Sequence, residues 1–170
     1  MLFQNRGDVM DKVDWKDSSS VLIEMKRRTV LQVAGLGVAL GIAAWLLTIA
    51  IRQIVFIPLF CDDATNSMCI SATANAGVVA TIVVTIAGLM GLVRFGIYRP
   101  LLIAIAGAAT LWGLAGWTSG LGWLEALLWS ALLYALTYVA FLWIARIRPF
   151  VVALVIVVLV VILAKWLPVL

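Results

Sequence analysis

The chain has 170 residues, of which 65% are hydrophobic and 12% charged, and its formal net charge is +4. Soluble domains run nearer half apolar and a quarter charged, so the composition excludes an ordinary soluble fold and points to a polytopic membrane protein. There is no histidine and there are two cysteines; this removes the commonest general base and metal ligand and leaves too few thiols for a multi-cysteine metal pattern.

Residues 1–28 form the only long polar stretch and read as a tail. Acid and base alternate through Asp8, Asp11, Lys12, Asp14, Lys16 and Asp17. Val9 and Val13 are spaced for a short surface helix, but too few apolar residues are present to bury a face. Lys26, Arg27 and Arg28 close the tail. They read first as a topology anchor; as a patch for anionic lipid they fall short of the usual cluster of about 4–8 basic residues.

The first span is predicted over 29–51. At a rise of about 1.5 Å per residue it is long enough to cross a hydrocarbon core of roughly 30 Å. It is too long, and its leader too acidic, for a cleavable signal peptide. The apolar segment 54–60 is short and contains Pro58, so it reads as an interfacial segment or a continuation of the first helix. Cys61 and Cys69 then flank the only polar loop after the tail, and a structural disulfide is expected there if the loop faces an oxidising compartment.

Four further spans are predicted at 76–93, 100–117, 123–145 and 149–167, which divides the chain into the tail and one bundle of five transmembrane helices over 29–170. Arg99-Pro100 and Arg148-Pro149 each open a span that reaches a tryptophan, Trp117 and Trp166, after the same interval. That matches a tandem duplication, and equally the common placement of proline at helix starts and tryptophan at membrane interfaces. Basic residues divide unevenly. Arg6, Lys12, Lys16, Lys26, Arg27, Arg28, Arg94, Arg99, Arg146 and Arg148 lie on one side, and Arg52 and Lys165 on the other. The positive-inside rule therefore places the amino terminus in the cytoplasm and the carboxyl terminus outside, and a bacterial inner membrane is the expected location.

Charges and small residues within spans are the candidate sites. Glu125 is expected near the outer surface with Lys165 and Arg52, as an interfacial pair or as separate snorkelling side chains. Gly37 and Gly41 form a GxxxG pair, and Ala109 and Gly113 a second small pair, both suited to close helix packing. Ser130, Tyr134, Thr137, Tyr138 and Phe141 share one face of the fourth span; they line a groove or pack between helices.

No phosphate loop, nucleophile elbow, metal-binding helix or paired intramembrane carboxylate is present. No catalytic residue, cofactor, metal or nucleic-acid partner is expected; lipid, other membrane proteins or a second copy are. The first functional reading is thus a non-catalytic subunit, assembly or accessory protein acting through helix packing and its tail. The alternative is a small oligomeric transporter or lipid-handling permease. A membrane-bound thiol-redox or transfer enzyme, resting on the cysteines or Glu125, comes third.

Overall fold

The structure, a computed structural model, describes residues 27–61, 67–147 and 149–166. The tail through Lys26 and the topology residue Arg148 lie outside the described residues. Every described element is helical: α1 (Arg27–Ile51), α2 (Ile57–Phe60), α3 (Ser67–Ile70), α4 (Ala72–Arg94), α5 (Pro100–Leu111), α6 (Leu114–Trp117), α7 (Trp123–Ala145) and α8 (Phe150–Trp166). Four uninterrupted or nearly uninterrupted runs are long and apolar enough to cross a membrane, and α8 is a shorter apolar helix. The fold is thus compatible with a multi-pass helical membrane bundle.

Helix α1 does not stop at Ile51. It passes through a π-helical stretch, Arg52–Phe56, into α2, making one rod of 34 residues. At about 1.5 Å per residue the rod is about 50 Å long, well beyond a core of roughly 30 Å. The segment 54–60 is therefore a continuation of the first helix. Pro58 sits in the first turn of α2, directly after the π-helical stretch; its missing N–H leaves a carbonyl of that stretch without an intrahelical donor, which a regular helix would not accommodate. The disulfide Cys61–Cys69, with a Cα–Cα distance of 5.1 Å, ties the end of this rod to α3 and so to the start of α4. The second long helix begins at Ala72, four residues before the predicted start.

Helices α1, α4, α5 and α7 form the body. Each packs on two neighbours: α1 lies between α4 and α7, and α5 lies between the same two on the opposite side. The tightest seam is α1 on α7, which run antiparallel. A Cβ on Gly37 would stand 2.7 Å from Ala135 Cα, and one on Gly41 would stand 2.6 Å from the Ser130 carbonyl oxygen. Only glycine permits that approach, and close backbones maximise dispersion contacts where lipid gives apolar side chains no preference for each other. The fourth-span stripe turns inward beside this seam. Tyr138 and Phe141 are almost fully buried, and the Tyr138 ring stands against Gly88 of α4, Gly107 of α5 and Leu40 of α1.

The third span is not one helix. Trp112 adopts an extended conformation (φ −60°, ψ 121°) and Gly113 a left-handed one (φ 90°), so α5 ends and α6 restarts. The expected packing role of Gly113 is therefore corrected: nothing lies within 4 Å of its Cβ position, and its contribution is the positive φ that a side chain would strain. Its partner in that pair, Ala109, faces an apolar groove between α5 and α8.

The two basic turns meet. Arg99, itself left-handed at φ 58°, donates from Nη1 to the Ile147 carbonyl at 3.2 Å. Its guanidinium lies 4.6 Å from the Tyr98 ring centroid and 5.0 Å from that of Phe150. This joins the starts of α5 and α8, which run parallel. Among the long helices α8 is the least embedded, with only Ala153 and Val157 buried.

The glycine seam gives a paired test. Gly41→Ala should lower stability by about 1–3 kcal/mol, because a methyl group there meets backbone that cannot retreat. Gly35→Ala, where nothing lies within 4 Å, should be neutral or gain up to about 1 kcal/mol from helix propensity. Thermal unfolding of the two purified variants in one detergent reads the difference.

Candidate functional site: a polar chamber beside two interrupted helices

Below the Cys61–Cys69 end, α1, α4, α6 and α7 part around a cavity of about 310 Å³. At the Gly37–Gly41 level glycines bring α1 onto α7, whereas one to three turns further along α1 carries Ala44, Trp45, Thr48 and Arg52, which line the space. From α4 come Thr73 and Thr81. From α6 and the turn after it come Leu114, Ala115, Thr118 and Ser119, and from α7 come Trp123, Ala126, Ser130 and Tyr134. Tyr134, Thr81 and Ser130 are buried at the closed end. Trp123, 71% exposed, stands at the rim.

Two departures from regular helix border this chamber. The π-helical stretch begins at Arg52, and the Trp112–Gly113 break directly precedes Leu114 and Ala115. Wide turns of this kind are frequent at functional sites. Irregular backbone at membrane depth is tolerated only where protein or a polar cavity satisfies the freed groups. Here one freed group is satisfied from α8, since Lys165 Nζ donates to the Trp112 carbonyl oxygen.

The hydroxyls have a common orientation. Thr48 donates to the Ala44 carbonyl at 2.7 Å, Thr81 to Gly77 at 2.8 Å, Thr118 to Leu114 at 3.1 Å and Ser119 to Gly116 at 2.7 Å. A hydroxyl has one proton and two lone pairs. Once the proton is given to the helix, what remains toward the cavity is acceptor capacity. Arg52 supplies the opposite property: it is the single charged residue among those lining the chamber, and a guanidinium only donates.

The predicted site residues fall at different places. Arg52 lines the chamber. Lys165 is committed to the Trp112 carbonyl, and Glu125 is exposed on the first turn of α7 and is not among the lining residues. Arg94, Arg99 and Arg146 lie at the opposite end of the bundle, where Arg146 stacks 4.9 Å from the Trp143 ring. Arg27 and Arg28 are exposed at the start of α1, at that same end. The stripe on α7 divides: Ser130 and Tyr134 face the chamber, while Tyr138 and Phe141 fill the core. Thr48, Thr73, Thr118 and Ser119 are the functional candidates that sequence reading missed. A recurrence of threonine and serine at one depth in several spans was the available signal.

Compared with known protein families, curated proteins and solved structures, the chain matches none.

The Lys165 contact yields an expected outcome. Lys165→Met should cost about 1–3 kcal/mol by leaving the Trp112 carbonyl unpaired. Thermal unfolding should show the loss, and limited proteolysis should show faster release of the α8 segment.

Proposed function

We propose that the chain is a five-span protein of the cell membrane, with a bacterial inner membrane favoured, working as a small lipid-handling permease whose ligand site is the chamber. The amino terminus and the Arg99 and Arg148 turns lie in the cytoplasm, and the disulfide and the chamber mouth lie outside. The ten-to-two division of basic residues supports this orientation. So does the disulfide, which suits the oxidising side.

The observation that carries the reading is the coincidence of a polar chamber with two interrupted helices. Discontinuous helices at the ligand site are a recurring feature of membrane carriers. The chamber volume of about 310 Å³ falls at the small end of ligand sites. Its apolar exposed rim, Ile49, Leu121 and Trp123, suits a ligand with an apolar part. An open-mouthed polar chamber formed within one chain moves this reading ahead of the accessory-protein one.

The accessory reading keeps one specific support. Between α5 and α8 runs an apolar groove of about 650 Å³, flanked by Leu101, Ile105, Leu154 and Val158, which a helix of another membrane protein would fit as well as lipid does. An accessory role would act through that face and the tail, without use of the chamber.

Two measurements test the proposal. With cysteine replacements in intact cells, Gly120→Cys should react with a membrane-impermeant maleimide and Tyr98→Cys should not; the reverse pattern would overturn the orientation. In vesicles, the reconstituted protein should speed exchange of fluorescent phospholipid between leaflets. Ala126→Phe, which fills the chamber from α7, should abolish that exchange while the protein remains monodisperse. No acceleration by the parent protein, or full activity in the filled variant, would remove the permease reading.

A further inference from the structure

We infer that the chamber selects a glycerophosphate-type group, an anion bearing free hydroxyls, and that Arg52 is its anchor; this rests on the reading of the chamber as a ligand site. The argument is one of complementary hydrogen-bonding capacity. A ligand in the chamber meets one cation, Arg52, and no lining carboxylate. A guanidinium fork matches the paired oxygens of a phosphate better than any neutral group, and it does so best where water is partly excluded. The anionic part therefore belongs at the mouth, beside Arg52.

Around Arg52 much of the lining adds the opposite property. The hydroxyls of Thr48, Thr81, Thr118 and Ser119 have given their protons to carbonyls of their own helices. What these four offer a ligand is lone pairs, which favours a ligand part that carries donors; Ser130 and Tyr134 also line the space, and their hydroxyls serve either sense. A bare phosphate or carboxylate brings only acceptors and gives the four oxygens no donor. A choline head group has no N–H or O–H to give. A glycerol hydroxyl pair attached to the phosphate supplies both halves: oxygens for Arg52 and donors for the ring of threonine and serine oxygens.

The same chemistry reaches the chamber from two sources, the head group of phosphatidylglycerol in the outer leaflet or free glycerol phosphate in solution. Purified protein is equilibrated with mixed vesicles of phosphatidylglycerol and phosphatidylcholine, extracted in mild detergent, and its retained lipid measured by native mass spectrometry. A second arm measures binding of radiolabelled sn-glycerol 3-phosphate to the lipid-free protein. Expected is preferential retention of phosphatidylglycerol, or saturable binding of glycerol phosphate, reduced about tenfold or more in Arg52→Gln, as loss of a charge-assisted bond predicts. Arg94→Gln, at the other end of the bundle, should leave either signal unchanged. Saturable binding in the second arm assigns the soluble source; retention in the first arm alone assigns the lipid. The inference is overturned if the parent protein shows neither signal, a result that needs no variant to fold, or if Arg52→Gln binds like the parent. Exchange of labelled phosphatidylcholine and phosphatidylglycerol at equal rates, blocked by Ala126→Phe, would leave the permease reading standing while equal retention of the two lipids removed the head-group selectivity.

Discussion

The close approach of α1 to α7 through Gly37 and Gly41 is the contact on which the bundle depends. In lipid the hydrophobic effect does not bring helices together, so attraction has to come from backbone proximity and dense side-chain contact. With Cβ positions less than 3 Å from the Ser130–Ala135 backbone, these two glycines set the distance between the helices at one depth only. Toward the basic end Val33, Leu92, Phe141 and Leu142 close the interior completely. Toward the disulfide end Trp45, Thr48 and Arg52 of α1 line the chamber. The chamber lies along a seam that is tight at one level and open at the next.

The two backbone interruptions follow from that opening. A helix that faces a polar space can expose a wide turn or a break, because water or side chains satisfy what regular helix would have satisfied internally. Arg52 starts the π-helical stretch, and Gly113 makes the break possible by adopting φ 90°. Arg52 lines that space, and the break at Gly113 adjoins it through Leu114 and Ala115. The close contact of Gly77 with Ala115 keeps α6 against α4 although α6 is only four residues long.

Much of this architecture is legible in the residues themselves. Apolar runs separated by charged turns gave the order of helices, since each must end where charge or breakers begin. The glycine pair in the first span announced a close contact, but not its partner: α4 and α7 both offer small residues, and a single sequence does not rank them. Depth is readable from residue spacing and direction around the helix is not. Arg52, Lys165 and Glu125 were therefore placed at one level, yet Arg52 lines the chamber, Lys165 bonds a carbonyl across α5 and Glu125 is exposed. Gly113 was misread because a small residue four from Ala109 looks like packing until the extended Trp112 shows the helix has ended. The chamber escaped notice because its hydroxyls come from four separate segments, each with too few to stand out.

Helix α8 has polar ties at its two ends, the Arg99 bond to the Ile147 carbonyl and the Lys165 bond to the Trp112 carbonyl, and is packed between them through Ala153 and Val157. Between those ends its surface is mostly exposed Val, Leu and Ile, interchangeable in a lipid environment. Sequence change is therefore nearly free on the exposed face of this helix and constrained at Ala153 and Val157, which are buried, and at Lys165, where a long cation must reach a particular oxygen. In relatives of this chain α8 would keep its length, its two small buried positions and its terminal cation while its outer face drifts among apolar residues, so similarity scores would understate how faithfully the helix is retained.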